Sequence, residues 1–210
     1  MGIRPNKGAN QPYWDPVLAF CRRWALPLSI LAILFALGLV LWVTPIAFAA
    51  DLMGKAVGIT DGDTISVLDA NKKQFDIRLV GIDAPEKSQP YGQRSKHHLS
   101  ELVYGKLVRV EWTTVDRWGR ILGKVWVAPA ETCPVVRSDC PMTLDASLAQ
   151  IASGMAWHFK RYQMEQSLQD RVRYSDDEVE ARAKRIGLWK DPTPIPPWEY
   201  RAKQRQRKSN

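Results

Sequence analysis

The sequence predicts an α+β domain: a five-stranded β-barrel with about three helices, preceded by an N-terminal hydrophobic helix. Three observations carry this prediction. Five short segments with strand alternation lie between Met53 and Val127, each bounded by turn residues. One segment of helical periodicity interrupts them after the third strand. From Leu144 onward the apolar spacing changes to that of helices. Many short strands with a single inserted helix favour a small closed barrel over a two-sheet sandwich.

The elements follow in chain order. Val57 and Ile59 alternate ahead of the turn Thr60-Asp61-Gly62-Asp63. The second strand runs from Thr64 to Leu68 with Ile65 and Val67 on one face, and Asp69 to Lys72 form a turn. Phe75, Ile77 and Leu79 alternate with Gln74, Asp76 and Arg78, which describes a half-buried third strand. Gln93 to Tyr104 is expected as a helix, with Leu99, Leu102 and Val103 sharing a face and Gly105 ending it. Leu107–Thr114 and Ile121–Val127 are the fourth and fifth strands, joined by Asp116-Arg117-Trp118-Gly119-Arg120. Leu144, Leu148, Ile151 and Met155 recur at helical spacing. A further helix is expected to start at the capping box Ser175–Glu178 and to end at Gly187, with partial helix in the stretch between Arg161 and Tyr174. The proline-rich exit Pro192–Pro197 is expected to be pinned to the body by Trp198, and a disordered tail follows it.

Composition bounds the function. The chain has 210 residues, 45% hydrophobic and 25% charged, which excludes a wholly disordered polymer. Three cysteines exclude a cysteine-rich scaffold. Thirty basic against 22 acidic residues give a net charge of +8, suited to polyanionic partners. Residues 51–210 retain 26 basic and 21 acidic groups, and the last ten residues hold five basic groups and no acid.

The first 50 residues stand apart. Trp24 to Ala50 contains no charge and follows Arg22-Arg23 directly. A run of that length reaches across about 30 Å of hydrocarbon as a helix. Pro45 and the small-x-small triplet Ala47-Phe48-Ala49 fit a cleaved signal, whereas the long preceding flank fits an uncleaved anchor. Both place the rest of the chain outside the cytoplasm, periplasmic or extracellular, with Arg22 and Arg23 kept inside. Membrane contact is then expected only through this segment, and only if it is uncleaved. Cys133 and Cys140 lie in the exported part and can close a small loop in an oxidising compartment; two free thiols are the alternative. The organisation expected is a leader or anchor over 1–50, a folded barrel domain over 51–200 and a basic disordered tail over 201–210.

Acids and arginines concentrate in three stretches: Asp61-Gly62-Asp63-Thr64, Arg78 to Glu86, and Asp116 to Arg120. Each alone reads as an ordinary turn or loop. Together, at the strand ends of one barrel, they hold what phosphodiester cleavage requires. Carboxylates such as Asp63 and Asp83 can hold a hard cation such as Ca²⁺ that neutralises phosphate. Glu86 can activate water as a general base. Arg78 and Arg120 can stabilise the charge of a five-coordinate transition state. His97 and His98 are neighbours on a helix and cannot both face one site, and His158 reads as structural.

These stretches resemble the thermonuclease (staphylococcal nuclease-like) family, and Ala181-Arg182, Gly187-Leu188-Trp189 and Pro196-Pro197-Trp198-Glu199 resemble its exported bacterial members. The resemblance covers residues 53–200 and implies an oligonucleotide-binding (OB-fold) barrel. It implies Ca²⁺-dependent hydrolysis of DNA and RNA to 3′-phosphates. It assigns the metal to Asp63, Asp83 and the carbonyl of Ala84, where other members carry Thr. It assigns catalysis to Arg78, Glu86 and Arg120. Arg117 replaces a lysine that contacts a terminal phosphate in the best-known member, and Trp118 replaces a tyrosine; both are candidate substrate-binding residues. Trp118 can stack on a base or cap the barrel. Two rival functions remain in view: a non-catalytic nucleic-acid-binding OB-fold module, and a membrane-tethered adaptor. A single barrel of this size needs no second copy, so a monomer is expected.

Overall fold

β1 (Ala50–Ile59) is the strand around which the sheet is organised. It pairs antiparallel with β2 (Thr64–Asp69) on one side and with β5 (Leu107–Val115) on the other. β3 (Gln74–Leu79) continues from β2, and β6 (Ile121–Val127) continues from β5. Parallel pairing of β3 with β6, at Ile77–Ile121 and Leu79–Gly123, closes the barrel. The structure is a computed structural model that describes residues 50–130, 133 and 140–209. The described residues fall within one compact unit, 48–210. The apolar stretch from Trp24 to Ala49 lies outside them. Among the described residues no helix is long and apolar enough to cross a membrane.

Alternation fills the barrel. Ile65, Val67, Ile77, Leu79, Val108, Val110, Val125 and Val127 point inward and are buried. Each such side chain contributes about 1.5–3 kcal/mol when fully withdrawn from water. A Cβ at Gly54 would stand 2.5 Å from Val67 and 2.6 Å from the Leu68 carbonyl, so this position in β1 accepts only glycine. The two-residue strand β4 (Ile82–Asp83) leaves the barrel beyond β3 and pairs with β8 (Trp157–His158).

Helix α1 (Gly92–Val103) buries Ser95, Leu99 and Val103 on one face, as its periodicity requires. β7 (Leu144–Asp145) adds to β6 and leads into α2 (Ala146–Ala152), shorter than the expected 144–155. The Asp145 carboxylate sets that start: it accepts from the amides of Ser147 (2.9 Å) and Leu148 (3.2 Å). It also accepts from the Tyr174 hydroxyl at 2.7 Å and pairs with Lys124 at 3.4 Å, which ties the barrel to the next helix.

That helix, α3 (Leu168–Ala183), corrects the sequence reading. It starts at Ser167, whose hydroxyl accepts from the Asp170 amide at 3.0 Å, and not at Ser175. Tyr174, Glu178 and Ala181 recur at one-turn spacing and are buried, so the helix runs through Ser175 without a break. Glu178, expected to close a capping box, accepts instead from the His158 amide and pairs with Arg182. Gly187 lies beyond the end of α3 (φ +56°); a Cβ there would stand 2.2 Å from the Gly154 carbonyl. The stretch Lys160–Glu165 is 3₁₀-helical. Cys133 and Cys140 are bridged.

The second correction concerns the tail. Pro197–Ser209 forms helix α4, so residues 201–209 are ordered. Proline suits the first helical position, Glu199 suits the first turn, and Ala, Lys, Gln and Arg all favour helix beyond it. Trp198 packs on Trp157 (5.7 Å between ring centres) and Phe159 (5.4 Å), which pins the proline-rich exit to the body as expected and, with it, the start of the unexpected helix.

Candidate active site

Three elements bring the first group of acids together. Asp63 ends the turn before β2, Arg78 lies near the end of β3, and Asp83 ends β4. Thr64 is the register partner of Arg78, so the β2–β3 ladder alone sets Asp63 beside the arginine. The Arg78 guanidinium bridges both acids, with Nη1 at 2.5 Å from Asp63 Oδ1 and Nη2 at 3.2 Å from Asp83 Oδ1. Both aspartates are buried, at 5% and 1% exposure. Ala84 joins them through its amide, which donates to Asp63 Oδ2 at 2.7 Å. Burial pushes the Asp63 carboxyl up to about 7. Arg78 and the Ala84 amide oppose the rise, while Asp61 and Asp83 add to it.

The turn that carries Asp63 is held from behind. Gln150 of α2 donates to the Gly62 carbonyl at 2.6 Å and to the Ser95 carbonyl of α1 at 3.2 Å. His98 bonds to the same glutamine. A Cβ on Gly62 would stand 1.9 Å from Ser95 Oγ, so the turn can pack this closely only with glycine. Gln150 lies within the segment Leu144–Met155, whose helical spacing assigns its apolar stripe to packing. Its positioning role was invisible there because the partners are 88 and 55 residues away.

Glu86 stands at the rim, its side chain 36% exposed. Its loop is fixed by the Gln89 side chain, which accepts from the Glu86 amide at 3.1 Å. Gly92 packs against the Glu86 carbonyl, where a Cβ would come within 1.9 Å. A residue that sequence reasoning left in a disordered tail completes this group. Arg201 of α4 reaches Asp83 Oδ2 at 2.7 Å and Glu86 Oε1 at 2.8 Å. Its bonds to Asp83 and Glu86 raise its pKa against the opposing effect of desolvation.

The third stretch has its own hydrogen-bond network on the β5–β6 turn. Asp116 accepts from the amides of Trp118 (2.9 Å) and Arg120 (3.0 Å), which closes the turn. The same carboxylate takes Arg120 Nε and Nη2, both at 2.8 Å. Desolvation works to raise the Asp116 pKa, but the bonds from Arg120 and Trp118 outweigh it and hold the carboxyl below its ordinary value. Trp118 is 66% exposed, so it does not cap the barrel. Arg117 and Arg120 lie over its ring at 4.3 and 5.2 Å. The expected residues are thus held in two hydrogen-bond networks, Asp63, Arg78, Asp83 and Ala84 in one and Asp116, Trp118 and Arg120 in the other. The pairing of Ile77 with Ile121 sets Arg120, just ahead of β6, beside the end of β3 that carries Arg78.

Comparison with known proteins shows the family. The profile of the family described as staphylococcal nuclease homologue matches residues 76–191. The chain belongs to that family. It is 39% identical over 159 residues to Protein ParB of Escherichia coli, a match covering 76% of this chain and 84% of that protein. It is 37% identical over 152 residues to a micrococcal nuclease of Shigella flexneri, covering 72% and 82%. An uncharacterized endonuclease of Escherichia coli matches at 38% over 152 residues, covering 72% and 86%. The chain is a phosphodiester-hydrolysing nuclease, and nucleic acid is its substrate.

In this nuclease the Asp63–Asp83 pair suits a hard cation. Both are buried oxygen donors, and the desolvation of Asp63 outweighs the Arg78 cation beside it. Among the described residues no group of three His, Cys, Asp or Glu side chains is arranged to hold a metal, so a cation on this pair would need main-chain oxygen or water to complete its shell. Asp116 closes the turn through Oδ1 and fixes the Arg120 guanidinium plane through Oδ2, so any part it has in catalysis runs through Arg120. Asp116→Asn is expected to lower kcat about tenfold, with KM changed less, because a misplacement of about 1 Å costs up to 10²-fold. Steady-state kinetics check it, and an unchanged kcat would leave Asp116 a turn residue only.

Proposed function

We propose that this nuclease is a Ca²⁺-dependent, sugar-nonspecific enzyme that works outside the cytoplasm. The observation that carries the reading is the buried Asp63–Asp83 pair bridged by Arg78, with Glu86 at its open rim. Asp63, Asp83 and the Ala84 carbonyl would hold Ca²⁺, which supplies charge neutralisation at a non-bridging phosphate oxygen. Glu86 takes a proton from water as the water oxygen attacks phosphorus. Arg78 and Arg120 donate to the phosphoryl oxygens on which charge develops. The 5′ oxygen leaves and is protonated, and the phosphate remains on the 3′ oxygen. Arg117 and the exposed Trp118 hold the strand, the indole by stacking, which tolerates any base. Backbone binding and stacking read neither sugar nor base, which suits DNA and RNA alike.

Two features support export. Arg22-Arg23 precede an uncharged stretch long enough to span a membrane. The Cys133–Cys140 bridge suits an oxidising compartment. Membrane contact then runs only through the N-terminal segment, if it is retained, and one copy suffices for the site.

The test is an assay of the purified full chain on single-stranded DNA, duplex DNA and RNA, with Ca²⁺ or with a chelator. Cleavage of all three with Ca²⁺ and none with chelator is expected. Undiminished cleavage in chelator overturns the metal assignment, and cleavage of one sugar type alone overturns the nonspecific reading.

A further inference from the structure

We propose that helix α4 is a phosphate-binding arm that guides the nucleic-acid strand to and from the carboxylate site. The proposal rests on the reading above, which makes that site the point of hydrolysis.

The arm is anchored at the site. Arg201 forks onto Asp83 and Glu86, with Nη1 and Nη2 at 3.1 and 2.7 Å from the two Asp83 oxygens. Tyr200 meets the Ser88 hydroxyl at 3.1 Å and donates to the Ser88 carbonyl at 3.2 Å. Gln89 donates to the Ile195 carbonyl at 2.6 Å, just ahead of the helix. These contacts fix where α4 begins and leave the rest of it outside the body: Lys203 and every residue from Arg205 to Ser209 are exposed.

The exposed part carries one sign of charge. After Glu199 the helix contains Arg201, Lys203, Arg205, Arg207 and Lys208 and no acid. Arg201, Arg205 and Lys208 are spaced four and three apart, which places them on one face, while Lys203 and Arg207 form a second row. Like charges at this spacing cost the helix about 0.2–0.5 kcal/mol per pair. Nothing within the described fold relieves that repulsion beyond Arg201, and a polyanion would. Seven residues of helix extend about 10.5 Å. At about 3.4 Å of axis per nucleotide, one strand presents about three phosphates over that length. The fork by which Arg201 holds a carboxylate is also the fork that takes phosphate oxygens. The occupant of the face is therefore the phosphodiester backbone of the substrate.

The test compares the full chain with the double variant Arg205→Gln/Lys208→Gln, two exposed positions at which losing the charge should not destabilise the fold. Binding of a fluorescent single-stranded oligonucleotide is measured by anisotropy in chelator over a range of salt. The slope of log affinity against log salt should fall by about 1.4 in the variant, about 0.7 for each lost phosphate contact. With Ca²⁺, KM for long DNA should rise by a larger factor than KM for a dinucleotide, which spans fewer phosphates. An equal slope and equal KM in an active parent and variant overturns the proposal. So does a variant that keeps its oligonucleotide affinity but loses binding to phosphatidylserine vesicles, since the arm would then serve a lipid surface. A parent that cuts nothing under either condition refutes the functional reading instead, and the salt slope still reports on the arm.

Discussion

Glu86→Gln lowers kcat by about 10²-fold or more with little change in strand affinity, because a positioned general base contributes about 10²–10⁴-fold. The substitution isolates the proton. Glutamine keeps the size of the side chain and an oxygen that can accept from Arg201, which now lies 2.8 Å from Glu86 Oε1. It cannot take a proton from water. The position is a rim position, 36% exposed, so stability should change by no more than about 0.5 kcal/mol. The fixed loop geometry, with Gln89 on the amide and Gly92 under the carbonyl, stays in place. Single-turnover cleavage with Ca²⁺ at saturating enzyme separates chemistry from binding. A loss smaller than tenfold would move the base to another group. Glu86→Asp extends the test: it keeps the charge but draws the carboxylate back by one methylene, and a rate well below the parent's would show that position as well as basicity matters.

The barrel was legible because its information is local. Alternation along Phe75–Leu79 and Ile121–Val127 and the turns between strands need only neighbouring residues to be read. The three acidic stretches were legible for a related reason: each lies at the end of a strand, and closing the barrel brings strand ends together. What failed was non-local or competed with a local signal. Ser175–Glu178 has the pattern of a capping box, but burial of Tyr174, Glu178 and Ala181 along one face carries α3 straight through it. Five cations without an acid read as a solvated tail until Trp198 and Arg201 are seen to dock. The Arg201–Asp83 contact spans 118 residues, and no spacing rule predicts it. The helical signal of Pro197 at the first position, followed by residues that favour helix, was present and was outweighed by the charge.

Arg78→Gln should separate the two roles of that arginine. The first is electrostatic support of the fold. The guanidinium bridges Asp63 and Asp83, is itself 17% exposed, and faces carboxylates with side chains 7% and 1% exposed. Removing one partner of a buried pair costs about 3–5 kcal/mol, and partial exposure of Arg78 argues for the lower end. For a chain of this size that is a fall in Tm of roughly 6–12 °C, at about 2–4 °C per kcal/mol. The second role is donation to the developing phosphoryl charge, where the loss of one donor costs about 10²–10³-fold in kcat. Ca²⁺ distinguishes them. A divalent cation binding the folded Asp63–Asp83 pair returns the missing positive charge, and at 100 times its Kd it adds about 2.7 kcal/mol of stability. It cannot return a hydrogen-bond donor aimed at phosphate. The variant is therefore expected to unfold early in chelator, to regain most of the parent's Tm in Ca²⁺, and to remain at least 10²-fold slower at saturating Ca²⁺. Thermal unfolding and kinetics on one preparation read both. If rate and stability return together, Arg78 is a counter-charge for the aspartates and the transition-state donor lies elsewhere, with Arg120 and Arg201 the arginines to test next.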